Sequence, residues 1–399
     1  MIDAEDIDWD AIEAGNEPLN AFTDLDRDAA FGEGPLSGLT VGVKGNIAVA
    51  GMPWHAGLEA FECRIAERDA DTVALLRQAG AAIIGVLNME EGALGAKTDN
   101  PHFGPTHNPH RIGHSPGGSS GGSGAAVAAG MCDIALGTDT MGSVRIPAAH
   151  CGVYGFKPAT ASVSQEGLEP ADLTLDAIGP LARNLDTLEL ASRTISGFGD
   201  DLIEGTGAFL TEHGVEVAPD ITAALDAAIA ALPSDPVPVA LAHKQSRIRF
   251  AGFIQVSKEM AEHLRSVSMS DHLAKLLTYG PKRSVPDVAE DYAILAETSH
   301  AVRTIIADYG FLLMPTVPNT AFAHADPEPA AQADFTCLAN IAGLPAISIP
   351  AGWSAEGLPI GVQIVGPAGA EAALFALARH LDAQLNAYRA PEKNKARGE

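Results

Sequence analysis

The sequence predicts an α/β fold with a largely covered sheet, on three observations. Short apolar runs alternate with helix-like segments along much of the chain. Several runs are apolar throughout rather than alternating with polar residues, as strands buried on both faces are. At 399 residues, 46 % of them hydrophobic, the chain can bury a large core and is not mainly disordered. The elements follow in order. Residues 1–35 open helical and become loop-like at Gly32, Gly34 and Pro35. Residues 39–49 (LTVGVKGNIAV) alternate and are rich in β-branched side chains, as a strand is. Residues 71–80 have an acidic start and a glycine stop, which reads as a helix, and 81–88 (AAIIGVLN) as the strand after it. Pro, His, Asn, Gly and Ser make 100–124 a loop. A small-residue helix at 123–131 and a strand at 132–140 follow. An Ala-rich helix is expected at 221–232, helices with polar faces at 256–308, a proline-ended strand at 311–318, and a mobile loop at 325–334. Two short strands (AISIPAG and IGVQIVG), a helix at 370–385 and a frayed tail at 390–399 close the chain.

Composition bounds the function. Acidic residues number 51 against 25 basic ones, a formal charge of −26. That balance opposes nucleic-acid or anionic-membrane partners, whose phosphates need a basic face. The N-terminus, MIDAEDIDWDAIEAGN, lacks the basic and apolar regions of a secretory signal. No apolar run approaches the roughly 20 residues of a membrane span. The expectation is a soluble, cytoplasmic protein. Its four cysteines (Cys63, Cys132, Cys151, Cys337) are widely spaced without a CxxC pair, so neither a zinc ribbon nor a dithiol site is expected.

Three local features bear on chemistry. Lys44 lies within an apolar strand; alone, it also fits an edge-strand lysine reaching solvent. The block 116–124 (PGGSSGGSG) enters a helix and lets backbone approach closely. It fits a linker or an anion cradle by itself, although the phosphate-binding GxxxxGK[ST] pattern is missing. The segment 137–147 (GTDTMGSVRIP) sets Ser143 after a tight polar turn at a strand end. Such a turn exposes a hydroxyl beside converging N–H groups.

In order and flanking residues the three together resemble the amidase signature family. The match runs almost continuously through GGSSGGSGAAVAAGM and LGTDTMGSVRIPAAHCGVYGFKP, and covers most of 38–197 and 311–385. Residues 199–308 form a weakly matched, variable helical region. The resemblance implies one amidase domain over 1–399 with a mixed central β-sheet covered by α-helices. It implies a catalytic lysine at Lys44, a cis-configured serine at Ser119 and a nucleophile at Ser143, 24 residues further on. The family's oxyanion donors fall on the N–H groups of Thr140, Met141, Gly142 and Ser143, and Asp139 and Arg145 match positions that organise the loop. Substrate contacts are expected from Gly92, Ala93, Leu94, Gly118 and Met141. No metal or organic cofactor is implied.

The chemistry is intelligible on its own terms. A serine hydroxyl attacks poorly until a base takes its proton. A lysine is such a base only when neutral, and burial in an apolar site favours that form. Ser119 would relay the proton between Ser143 and Lys44. The expected reaction is hydrolysis of a small carboxylic amide through an acyl-enzyme on Ser143, with a small-molecule substrate and a homodimer allowed by the family. Ester or carbamate cleavage is one alternative. The glutaminase subunit of a tRNA-dependent amidotransferase is another, set behind because the 199–300 region is short and two residues depart from the family pattern. Those departures are Gly45, where the family commonly has Asp, and Met141, where it commonly has Gly. Met141 is expected to line or narrow the pocket.

Other residues invite weaker readings. His102, His107, His110 and His114 share a loop without metal spacing, and His114 adjoins the Gly/Ser block. Glu90 and Glu91 fit an acid/base pair or, more simply, charges at a helix N-terminus. Trp54, Phe103 and Phe322 fit pocket walls or core.

Overall fold

The computed structural model describes residues 7–392, so part of the expected tail, 393–399, lies outside the described residues. Thirteen strands are present: β1 (Phe22–Leu25), β2 (Thr40–Lys44), β3 (Ala82–Leu87), β4 (Asp99–Asn100), β5 (Gly104–Pro105), β6 (Ile134–Asp139), β7 (Tyr154–Lys157), β8 (Ala177–Ala182), β9 (Ala208–Leu210), β10 (Val237–Val239), β11 (Leu312–Pro315), β12 (Ala346–Trp353) and β13 (Pro359–Val365). Apart from the β4–β5 pair they form one eleven-stranded sheet in the order β1-β3-β2-β6-β8-β7-β12-β13-β11-β9-β10. It is mixed: β3, β2 and β6 run parallel, β6 through β13 pair antiparallel, and β11, β9 and β10 are again parallel.

The apolar strands are buried on both faces, as their patterning predicts. In β3, Ile83 and Val86 join the cluster under the helices Asp71–Gln78 and Leu185–Ile195. Ala82, Ile84 and Leu87 point the other way, toward Gly121–Ala128 and Trp9–Leu19. The far half repeats this arrangement. Ile347, Ile349 and Val362 face the helices Pro219–Ala230 and Glu371–Leu385, while Met314, Ala346 and Val365 face Gln245–His263 and Val285–Tyr309. Every residue of Gly121–Ala128 is buried, which explains its small side chains. A larger group there would overpack the core, at a cost of about 1–3 kcal/mol.

Three expectations are corrected. The strand over 39–49 stops at Lys44, where Ile47 N–H bonds back to the Lys44 carbonyl and turns the chain. The long helix of the variable region begins at Gln245 rather than 256. The 325–334 segment is no free loop: Gln332 and Asp334 are buried, and Gln332 donates to Asn319 at 2.7 Å. Among the described residues no helix is long and apolar enough to cross a membrane.

Candidate active site

β2 lies between β3 and β6, so Lys44 emerges in the middle of the sheet and not at an edge. Its side chain is fully buried. Nζ lies 2.7 Å from Ser119 Oγ and 2.7 Å from Thr138 Oγ1 on the neighbouring strand. Burial disfavours the ammonium and brings Lys44 down from 10.5 to about 7, against the opposing fields of Asp176, Asp139 and Glu90.

The paired serines divide their tasks. Ser119 meets the lysine, and the Gly118–Ser119 peptide bond is cis. Ser120 Oγ donates to the Thr138 carbonyl at 3.2 Å and accepts from Thr138 N–H at 3.3 Å, tying the loop to β6. The glycines let the loop sit this deep: a Cβ on Gly122 would come within 2.4 Å of the Asn88 carbonyl oxygen. The block is therefore a packed helix entry rather than a linker.

β6 ends at Asp139, and the turn Thr140–Ser143 follows. Two buried groups hold it. Asp139 forms a bidentate pair with Arg145 at 3.0 and 2.8 Å, and Asn340 and Gln363 satisfy the rest of that network. Burial alone would raise Asp139; the Arg145 guanidinium overrides it and holds the carboxyl at about 2. From the opposite side Thr336 Oγ1 donates to the Met141 carbonyl at 2.7 Å. Gly142 has φ +137°, and a Cβ there would meet Thr336 Oγ1 at 2.1 Å, so the turn needs glycine at this point. The N–H groups of Thr140, Met141, Gly142 and Ser143 meet no protein acceptor among the described residues. They remain free donors in the turn that ends at Ser143.

Ser143 lines a cavity of about 450 Å³. Its walls include Leu94, Met141, Ile146, Phe250, Phe253 and Tyr279, with Arg249, His272 and Glu328 as the charged or titratable groups. Of the residues expected to contact substrate, Ala93, Leu94 and Met141 line this cavity. Gly92 and Gly118 do not line the cavity. Gly92 turns toward Leu273 and Met260, and Gly118 backs onto the Ala96–Lys97 backbone. Met141 rests on the Gln245–His263 helix at Gly252, where a Cβ would lie 2.9 Å from Met141 Cε. The Gly45 departure is filled from elsewhere: a Cβ there would lie 2.3 Å from His55 Cε1. The His55 ring, stacked on Phe103 at 4.2 Å and held neutral by burial, occupies the space of the missing side chain.

The weaker readings resolve by position. Trp54 lies under Arg64, Phe103 on His55, and Phe322 against His150. His114 sits in a backbone bridge with Ala323. Glu90 and Glu91 do open a helix, the short 3-10 turn Glu91–Ala93; Glu90 is half-buried there, accepts from the Lys97 and Thr98 amides, and is pushed up to about 8 by desolvation and then by Glu328. Among the described residues no group of three or more His, Cys, Asp or Glu could hold a metal ion. Sequence reasoning missed Thr138, Thr336, Asp176 and the aromatic wall. Only the wall left a local signal, since Phe250, Phe253 and Val256 recur every third residue on one helix.

Known proteins share this fold. The family profile described as Amidase matches residues 11–201 and 200–375. A glutamyl-tRNA(Gln) amidotransferase subunit from Halothermothrix orenii is 31% identical over 94% of this chain and 92% of its own length. Among solved structures, the corresponding amidotransferase subunit from Thermotoga maritima superposes with TM-score 0.85 at 28% identity, covering 98% of this chain and 94% of that one. A protein from a vestigial complex tied to the evolutionary origins of an s-triazine catabolic enzyme gives TM-score 0.87 at 28% identity, covering 98% and 96%. The chain belongs to the amidase signature family and is an amidohydrolase acting on amide C–N bonds.

Proposed function

We propose that the chain cleaves a carboxamide through an acyl-enzyme on Ser143, with Ser119 and Lys44 as proton relay and base. The observation that carries this is the buried Lys44 amine, 2.7 Å from Ser119 Oγ, behind a cavity that Ser143 lines. Ser143 Oγ attacks the amide carbon, and its proton passes through Ser119 to neutral Lys44. The carbonyl oxygen becomes an oxyanion facing the N–H row of Thr140–Ser143, where each donor contributes on the order of 3 kcal/mol. The C–N bond breaks as the proton returns to the departing nitrogen. Water then takes the same path, the acyl–oxygen bond breaks, and a carboxylate leaves.

Two substrate readings remain, and different observations support them. The apolar walls favour an acyl group with aromatic or aliphatic bulk. Ester and carbamate cleavage would use the same oxyanion. The named relatives weigh more heavily for the second reading, a glutaminase subunit that works with partner chains. Arg249 and Glu328 in the cavity wall offer the cation and anion that the two charged ends of glutamine need. Arg249 is already oriented by Asp334 at 2.5 Å. We further read the protein as soluble and cytoplasmic, with a homodimer allowed.

Purified protein assayed against aliphatic, aryl and indolyl amides, esters, carbamates and glutamine separates the readings. Turnover of apolar amides without a partner supports the first. Glutamine hydrolysis lost in Arg249→Met, together with co-purifying partner chains, supports the second. No turnover of any of them, with no fluorophosphonate adduct on Ser143, overturns both.

A further inference from the structure

Asp176 is a buried carboxylate that the proposed reaction does not use. It is 1% exposed and accepts three hydrogen bonds, all from neutral donors. Thr140 Oγ1 donates at 2.6 Å, Ala171 N–H at 2.9 Å and Asp172 N–H at 3.1 Å. Among the described residues no lysine, arginine or histidine pairs with it. A buried charge without a countercharge is costly, and burial pushes Asp176 up to about 6, so it still carries its charge where Lys44 titrates.

Lys44 supplies the countercharge. Asp176 immediately precedes β8, whose Ala177 and Ile178 pair with Asp139 and Thr138 of β6, and Thr138 Oγ1 lies 2.7 Å from Lys44 Nζ; from there its charge opposes loss of the Lys44 proton. Asp139 is already committed to Arg145, and Glu90 is held largely neutral by burial and by Glu328. Asp172, which faces Asp176 from the same loop, engages Gln255 at 2.9 Å and Thr174 at 2.6 Å. Asp176 is therefore the carboxylate left to answer a proton on Lys44. Its other contact, Thr140, belongs to the turn that carries the N–H row.

We infer that Asp176 is a positioning residue with two linked effects: it fixes the Thr140 hydroxyl behind the oxyanion turn, and its buried negative charge stabilises Lys44 when that amine takes up the serine proton. The inference rests on the proposed roles of Lys44 and Ser143. It also explains why Asp176 stays buried with neutral donors only: an arginine there would cancel the field that Lys44 needs.

The rate of Ser143 modification by a fluorophosphonate reads both effects without knowledge of the substrate. In Asp176→Asn, the pH at which the labelling rate is half-maximal moves downward by about one unit, because an opposite charge near Lys44 has been removed. The saturating rate falls at least about tenfold. A folded Asp176→Asn protein with an unmoved midpoint overturns the inference, whatever its melting temperature. If that variant does not fold, Thr140→Val and Thr140→Ser decide. The valine variant is expected to lose saturating rate at unchanged half-saturating concentration, and serine, which keeps the hydroxyl, to restore it. Equal rates in wild type and Thr140→Val overturn the inference. A wild-type chain that is not labelled at all overturns the proposed function instead, and this inference with it.

Discussion

Two walls meet at Ser143, and they are built differently. One comes from strand ends and the Gly/Ser loop: Lys44, Ser119, Thr138 and the Thr140–Ser143 turn. It is polar and bound by short contacts, among them the bidentate Asp139–Arg145 pair. The other comes from the Gln245–His263 helix and its neighbours, with Phe250, Phe253, Val256 and Tyr279 presenting apolar surface and no directed bonds. The first wall tolerates little change, because each buried polar group loses its partner if another moves. The second can be repacked, since apolar walls need only volume and shape. On the proposed reading, reaction chemistry and substrate choice fall on separate parts of the chain, and the comparison can be broken by perturbing each alone.

The largest effect is expected on the polar wall. Ser143→Ala and Lys44→Ala should each lower turnover by about 10⁴-fold or more while leaving substrate binding nearly intact. Equilibrium binding of an unreactive analogue, measured beside single-turnover rates, checks this. A comparable loss of binding would mean that the two walls are not separable.

Next comes stability. Asp139→Ala leaves Arg145 buried without its anion, a loss of about 3–5 kcal/mol, readable as a shift in the urea midpoint. Phe253→Ala on the other wall should reshape the cavity and cost less than Asp139→Ala, because its neighbours can relax. If the aromatic substitution costs more, the proposed contrast in rigidity is wrong.

The pH profile sharpens the comparison. Lys44 is lowered from 10.5 to about 7, so the neutral base gains population as pH rises through 7. kcat/KM should climb across that range with one ionisation, and apolar-wall variants should leave the midpoint alone. A rate level across pH 7 would remove Lys44 from the base role.

Smaller changes are expected where the walls touch. Met141 belongs to the turn but rests on Gly252 of the helix. Met141→Gly should change the ranking of acyl groups by roughly 10- to 100-fold in kcat/KM, since one or two methylenes in a pocket are worth about 1–3 kcal/mol. Gly252→Ala places a methyl against Met141 Cε. It should shift that ranking only a few-fold, while the helix gains about 0.5–1 kcal/mol of intrinsic stability. An unchanged ranking in both variants would take Met141 out of substrate selection.

Much of the polar wall was legible in the sequence because it is written in local patterns. A lysine in an apolar strand, paired serines among glycines, and a serine after a strand-ending turn are each continuous in the chain. The strands themselves announced burial through runs such as 81–88. Thr138, Thr336 and Asp176 left no such mark. Their contacts to Lys44, Met141 and Thr140 span 94, 195 and 36 positions, and a single threonine or aspartate looks alike whether it is solvated or holds a turn. The aromatic wall left only the three-residue spacing of Phe250, Phe253 and Val256 on one helix. The sequence offered Trp54, Phe103 and Phe322 as pocket walls, and the packing of the variable helices put Phe250 and Phe253 there instead.

The sequence by itself pointed to the covered α/β sheet and, through its resemblance to a family, to Lys44, Ser119 and Ser143 as candidates, because apolar periodicity and a compact motif are properties of neighbouring residues. Only the tertiary structure decided which side chains line the cavity, that His55 fills the space beside Gly45, and that Asp176 stands unpaired behind Thr140. Those facts depend on where distant segments come to rest, and burial, the quantity that sets each group's charge and reactivity, exists only once they have.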